Sequence, residues 1–318
     1  MNPYVFIVGC PRSGTTLLQR MVDAHPEVAI TRQSRFIPNY YEKRKGLTPE
    51  GYVTPDLVDR LIAERRFKNL EIDREGLESL AGSDEQVPFE SFVTGIFDHY
   101  GKVQGKRLIG DKTPRYVRSI PTLHELWPET RFVHIIRDGR DVCLSMMNWK
   151  MADSSAGQFS AWKEDRVSTG ALWWELNVRL GRQDGGSLLP ELYHEVHYEE
   201  LISEPEETCA NLCDFLGLPY DDAMLRFHEG REKADTDLDA KKGWRPLTPG
   251  LRKWSAQMSA EDLRRFEAAA GDLLDELGYP RAVPEPPQEA LAWAARIRES
   301  FTWDIPSSGY RLPVGWTT

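Results

Sequence analysis

Short apolar runs alternate along this chain with longer stretches in which apolar residues recur every three or four positions. Tyr4–Val8, a run near Arg107–Ile109, Arg131–Ile136 and Glu195–Tyr198 have the length and side-chain character of strands. The first is apolar throughout, as a strand covered on both faces should be. Helical spacing follows from Thr15 through Leu17, Leu18, Met21 and Val22, and Pro26 closes that stretch. Further helical patterns run through Val142, Leu144 and Met146, through Leu212, Phe215 and Leu216, and from Ala260 to Leu277. Gly278 then stands where a helix C-cap is expected. Strands and helices in this alternation predict an α/β fold, a parallel sheet flanked by helices.

Residues 50–100 break the alternation. They show several amphipathic helical patterns with polar joints, for example Leu57, Leu61 and Ile62 on one face. A helical insertion between strands is predicted here, and such a segment is a natural place for an acceptor-binding surface. Beyond Pro280 the sequence becomes proline-rich and ends with an amphipathic stretch over Leu291–Ile297. Residues 1–280 therefore form one predicted domain, and 281–318 an extension packed on it or on a partner. No internal repeat is visible.

Composition narrows the function classes. At 318 residues the chain can bury a full core. The net charge of −10 argues against a nucleic-acid partner, although it leaves room for a locally basic pocket. Cys10, Cys143, Cys209 and Cys213 are too few and too irregular for a disulfide scaffold. Cys209 and Cys213 sit four apart in a helical pattern with no second ligand pair, which favours core packing over a metal. Neither a basic leader nor a membrane-length apolar segment is seen, so a cytoplasmic protein with no membrane span is expected. The sequence leaves oligomeric state open.

The chemistry begins at the end of the first strand. Gly9-Cys10-Pro11-Arg12-Ser13-Gly14-Thr15-Thr16 leads from that strand into a helix with the glycine spacing of a P-loop. Such a loop cradles phosphate-like groups in backbone amides at a helix N-terminus. Thr15, however, occupies the position of the lysine that grips a nucleotide triphosphate. Arg12 brings a cation to mid-loop instead. The later strand ends in Ile136-Arg137, where a magnesium site would need a carboxylate. These residues suit a phosphate-like anion held without metal. A small-molecule kinase is the competing enzyme class, and it lacks its lysine.

Four segments in order then resemble the sulfotransferase superfamily, in its bacterial branch and its protein-tyrosine sulfotransferases, over nearly all of residues 3–280. They are Pro11-Arg12-Ser13-Gly14-Thr15-Thr16 (followed by Asp23-Ala24-His25-Pro26), Asp111-Lys112-Thr113-Pro114, Ile136-Arg137-Asp138-Gly139-Arg140-Asp141 with Ser145, and Val196-His197-Tyr198-Glu199-Glu200-Leu201. The resemblance implies a P-loop-like fold and sulfuryl transfer from 3′-phosphoadenosine 5′-phosphosulfate (PAPS) to an acceptor hydroxyl, leaving 3′-phosphoadenosine 5′-phosphate (PAP). It places Arg12, Ser13, Gly14, Thr15 and Thr16 on the 5′-phosphosulfate and Lys112 near the transferring group. Arg137 and Ser145 fall on the 3′-phosphate, and Tyr198 beside the adenine. Gly250-Leu251-Arg252-Lys253-Trp254 resembles a segment that closes over the nucleotide, which puts Arg252 and Lys253 on the 3′-phosphate side. Each has a plainer alternative: Arg137 can pair with Asp141, Ser145 can be an ordinary helix residue, Tyr198 can be core, and exposed basic residues are usually just solvated.

One position departs from the family. Relatives carry a glutamate as general base in the stretch after the first helix. Here that stretch reads Thr31-Arg32-Gln33-Ser34-Arg35-Phe36-Ile37, with Gln33 at the glutamate position. An amide is no useful proton acceptor at neutral pH. The proton would pass to another group (His25, Asp111 and His134 are candidates), or the acceptor is as acidic as a phenol, or the chain is a nucleotide-binding relative impaired in turnover. Arg32 and Arg35 hint at an anionic acceptor. Trp149 and Trp162 fall in an irregular region suited to a lid, whereas Trp173 and Trp174 fit a helix core at least as well as a stacking site. The acceptor expected from sequence is a small molecule with a hydroxyl group.

Overall fold

A computed structural model describes residues 4–82, 86–229, 253–305, 309 and 311–316. Five strands form one sheet: β1 (Val5–Gly9), β2 (Val28–Arg32), β3 (Leu108–Lys112), β4 (Arg131–Ile136) and β5 (Tyr193–His197). Their order is β2-β3-β1-β4-β5, and every neighbouring pair is parallel. Central β1 is buried along its whole length because both faces are covered. Phe6 and Val8 join Phe97, Trp127 and Phe132 in one apolar cluster. Val5 and Ile7 point the other way, into a cluster with Leu18, Met21, Cys209 and Leu212. All four cysteines are buried and free of disulfides.

The sheet differs from the sequence pattern at two places. β2 was not anticipated, because Val28-Ala29-Ile30 is only three apolar residues before Thr31 and Arg32. β3 runs on through Asp111 and Lys112, which the apolar pattern alone would exclude. Both charged residues are fully buried there. Between β2 and β3 lies the helical insertion, with helices Ile37–Glu42, Pro55–Ala63, Arg74–Ala81 and Phe89–Gln104.

A third cluster sits behind the far half of the sheet. It joins helices Gly139–Met147, Arg166–Gly185 and Ala260–Glu276 to the C-terminal helix Gln288–Asp304. That last helix inserts Ala294, Ile297 and Phe301 into the cluster, and the Phe301 ring stacks on Phe159 at 4.1 Å. The extension is thus packed on the domain. Trp173 and Trp174 are completely buried in the same cluster, and Trp162 nearly so, which assigns all three to the core. No helix among the described residues is long and apolar enough to cross a membrane.

At the centre of this region Arg140 is fully buried and forms ion pairs with Asp138 (2.7 Å) and Glu267 (2.7 Å). Its guanidinium also lies 3.6 Å from the centroid of the Trp254 ring. Glu267 further accepts the backbone N–H groups of Ala282 and Val283, so it fastens the start of the extension. Truncating one partner of a buried pair leaves the other charge uncompensated, at a cost of about 3–5 kcal/mol. Glu267→Ala is therefore expected to lower unfolding stability by about that amount in a urea titration. Glu276→Ala, which removes an exposed pair with Arg179, should change it by less than about 1 kcal/mol.

Candidate active site

Parallel pairing brings the carboxyl ends of all five strands to one edge, where a crevice forms as the chain leaves central β1 in one direction and its neighbours in others. Each strand delivers a residue there. β1 runs into the anion loop, β2 into Gln33, β3 ends at Lys112, β4 is followed by Arg137 and β5 by Tyr198.

The anion loop is shaped by two left-handed residues. Arg12 has φ 82° and Gly14 has φ 98°, with Ser13 between them. Alternation of this kind turns successive N–H groups to one side, the arrangement of an anion nest. Gly14 is also the N-cap of helix Thr15–Ala24. A non-glycine residue at positive φ stores about 1–3 kcal/mol of strain, so Arg12 marks a place where the surroundings dictate geometry. Ser13 is fully buried, and its hydroxyl has no hydrogen-bond partner among the described residues. Across the crevice the buried Nε of Arg137 is likewise without a partner. Such orphans fit a bound multivalent anion.

The predicted residues meet across this crevice. Arg12 Nε donates to Ser145 Oγ at 2.9 Å, which ties the loop to helix Gly139–Met147. Lys112 Nζ donates to Thr16 Oγ1 at 3.2 Å, so its ammonium faces the start of the first helix. The Arg137 guanidinium lies 4.1 Å from the Tyr198 ring centroid, and a Cβ on Gly14 would come within 2.4 Å of the same ring. Tyr198 therefore packs against the anion loop, with Arg137 on its ring. Arg137 also pairs with Asp141 at 3.0 Å, the alternative the sequence left open. Thr15 is buried at the head of its helix. Lys253 is exposed, and the next residue is anchored here: Trp254 N donates to the other oxygen of Asp141 at 2.8 Å. Arg252 lies outside the described residues.

Several residues to which the sequence assigned no place in the nucleotide site support it. Glu199 accepts the Asp138 N–H (3.0 Å) and the Tyr279 hydroxyl (2.8 Å), joining the turn after Arg137 to the residue after Tyr198. Burial pushes its carboxyl pKa up. Trp174 Nε1 donates to the Arg137 carbonyl at 3.1 Å, so a core tryptophan fixes a site backbone. Trp149, half-buried, lies 5.4 Å from the Arg12 guanidinium and forms one wall of the loop.

On the acceptor side, Gln33 N donates to Lys112 O at 3.0 Å, extending the β2–β3 ladder by one residue. Gln33 (φ 33°) and Arg35 (φ 62°) are both left-handed, and Ser34 between them donates its N–H to Asp111 Oδ2 at 2.9 Å. Asp111 thereby braces this turn, and burial raises its pKa. Two other base candidates are structural. His25 Nδ1 accepts the Glu27 N–H (3.1 Å), and its Nε2 donates to Pro219 O (2.9 Å). His134 is fully buried and bonded to the Tyr193 hydroxyl at 2.7 Å, and burial lowers its pKa to about 4. Gln33 itself accepts from Arg66 Nη1 at 2.7 Å. Arg66 comes from the insertion, 33 residues further on, where nothing in the sequence linked it to Gln33.

The parallel sheet and the lysine-free loop with its left-handed Arg12 and Gly14 define an α/β protein with an anion-binding loop at the carboxyl edge of its sheet. Among the described residues no group of three or more His, Cys, Asp or Glu side chains could hold a metal. The model of the sulfotransferase family matches residues 3–222, and the chain belongs to that family. Over 292 residues it is 26% identical to protein-tyrosine sulfotransferase 1 of Danio rerio, covering 89% of this chain and 74% of that protein. Its fold is similar to the sulfotransferase domain of the Synechococcus PCC 7002 olefin synthase, with a TM-score of 0.57, 21% identity and coverage of 88% and 95%. The sulfotransferase domain from the curacin biosynthetic pathway gives a TM-score of 0.56, 18% identity and coverage of 98% and 99%.

Gly14→Ala tests the nucleotide half of the crevice. The added methyl meets both the Tyr198 ring and an unfavourable φ. The variant should bind PAP at least about tenfold more weakly by calorimetry, or about 1.4 kcal/mol, with its circular dichroism spectrum unchanged.

Proposed function

We propose that this chain, a PAPS-dependent sulfotransferase, moves the sulfuryl group onto a phenolic hydroxyl of the tyrosine type. The observation that carries the transfer reading is the meeting of Arg12, Ser145, Arg137 and Tyr198 across one crevice. One cation bonded to a hydroxyl (Arg12 with Ser145) and a second on an aromatic ring (Arg137 on Tyr198) suit a nucleotide with phosphate on both its 3′ and 5′ sides.

Bound PAPS supplies an activated sulfuryl group with a phosphate leaving group. The protein supplies position and charge. Loop amides and Arg12 bind the 5′ side, and Lys112, held over Thr16, lies where charge builds on the departing bridge oxygen. Losing a preorganised donor of this kind costs about 3–4 kcal/mol in the barrier. Gln33, fixed beside Lys112 through its backbone, orients the acceptor hydroxyl but does not remove its proton. A phenol, with pKa about 10, needs far less help to ionise than an alcohol. That favours a phenolic acceptor, and the named activity of the Danio rerio relative points the same way. The phenol can be free or part of a peptide. A tyrosine peptide assayed beside a small phenol distinguishes the two.

Two measurements test these assignments. Calorimetric titration with PAP should show tight binding by the wild type in preference to magnesium-ATP. Arg137→Ala should weaken PAP binding by about 2–5 kcal/mol, a factor of at least about 30. Equal or tighter binding of magnesium-ATP would overturn the cofactor assignment. Gln33→Glu restores a carboxylate at the proton-accepting position, and should raise turnover on an aliphatic alcohol by about 10²-fold or more. Unchanged alcohol turnover with intact PAP affinity would remove Gln33 from the acceptor site, and absence of transfer to any phenol would leave a nucleotide-binding protein without turnover.

A further inference from the structure

The wall over the anion loop has little regular structure of its own. Trp149 stands 5.4 Å from the Arg12 guanidinium. From Asn148 to Asp165 the backbone runs as turns and the single-turn helices Ala156–Gln158 and Ser160–Lys163. Successive turns link this segment along its length. Ala152 N donates to Trp149 O at 3.0 Å, Ser155 N and Gly157 N to Ala152 O at 2.9 Å, and Phe159 N to Ala156 O at 3.2 Å. Arg115, three residues past Lys112, grips the middle through Nη2, at Ser154 O (2.7 Å) and Ser155 Oγ (2.9 Å). A segment of turns keeps one position only where something packs behind it.

The C-terminal helix Gln288–Asp304 packs there. Phe301 is fully buried and stacks on the Phe159 ring, with centroids 4.1 Å apart. Asp304 Oδ2 accepts the Ser160 N–H at 2.6 Å, and the Ser160 and Ser300 hydroxyls share a hydrogen bond of 3.2 Å. Arg296 pairs with Glu164. Trp293 Nε1 donates to Asp165 Oδ2 at 2.8 Å, and the same carboxylate caps helix Arg166–Gly185 through Val167 N and Ser168 N. Trp293, Arg296, Ser300, Phe301 and Asp304 recur every three or four positions, which puts them on one face of the helix. That face is given to the wall.

We infer that the C-terminal helix is a positioning element of the transfer site. It holds the Trp149–Asp165 wall, and through Trp149 the Arg12 side chain, in the arrangement that receives the 5′-phosphosulfate. Phe301 and Asp304 are then positioning residues, acting through Phe159 and Ser160 rather than on the nucleotide itself. The physical reason is entropic: a wall of turns that must be ordered as the nucleotide arrives subtracts from affinity, and one already ordered by the helix does not. This role rests on the transfer function proposed above, which puts Arg12 on the 5′ side of the nucleotide.

Calorimetry with PAP on the full chain tests it. Phe301→Ala should weaken PAP binding about three- to tenfold, the cost of ordering roughly one side chain, with the circular dichroism spectrum unchanged. Asp304→Ala, a change at the helix end that decides the matter if Phe301→Ala fails to fold, should weaken it at least about twofold. Arg298→Ala is the control, because it removes bonds from the same helix to Glu175 and to Ala269 O. It should lower the urea midpoint yet leave PAP affinity unchanged. Trp149→Ala should weaken PAP binding, and adding Phe301→Ala to it should cost little more, because both changes break one path. Losses that add in the double variant overturn the inference. So does PAP affinity indifferent to Trp149→Ala or to both helix variants, or an equal loss in Arg298→Ala; the helix is then a stabilising element alone. Wild-type protein that does not bind PAP removes the transfer function and this role with it.

Discussion

Parallel strand pairing is the constraint on which everything else rests. Because β2, β3, β1, β4 and β5 all run the same way, their carboxyl ends lie along one edge, and residues more than a hundred positions apart become neighbours. Arg12 and Ser145 are 133 positions apart and share a hydrogen bond. A reversed strand would send its terminal residue to the opposite edge. Hydrophobic burial sets that arrangement, since a parallel sheet must be covered on both faces, and the three apolar clusters do the covering.

On this frame charge is distributed in two ways. In the nucleotide half, Arg137 is paired with Asp141, and Arg140 with Asp138 and Glu267. These pairs hold the backbone that presents Arg137, and Glu199 and Trp174 add fixed hydrogen bonds. In the acceptor half Arg35 feels both like charges, Arg66 and Arg115, and the opposite charge of Glu64, and burial with the like charges lowers its pKa to about 10.

Much of this was legible in the sequence, for identifiable reasons. β1, β4 and the anion loop announce themselves through an unbroken apolar run or glycine spacing, and both signals are local. Arg137, Ser145, Tyr198 and Lys112 could be placed because the short segments that hold them resemble those of one family. β2 was not legible: its pairing is supplied by β3, eighty residues later, while its own residues offer only three apolar positions. Lys112 inside a strand was hidden for the related reason that burial of a charge is decided by tertiary neighbours. His25 and His134 looked usable because a histidine's availability depends on its partners, here Pro219, Glu27 and Tyr193. Arg66 and Arg115 reach the turn from two other segments, and no local pattern marks a residue for its distance to Gln33.

The turn at Gln33 is held almost wholly by main-chain and neighbouring groups: Gln33 N on Lys112 O, Ser34 N on Asp111, Ile37 N on the Tyr116 hydroxyl. Among the described residues the Gln33 side chain adds its bond from Arg66. Backbone shape and side-chain chemistry are therefore uncoupled at this position. Over evolutionary time, such a socket can exchange one residue for another and alter how the acceptor is activated while the surrounding architecture stays as it is. Descendants of one fold can diverge in acceptor chemistry through a single codon, without passing through an unfolded ancestor.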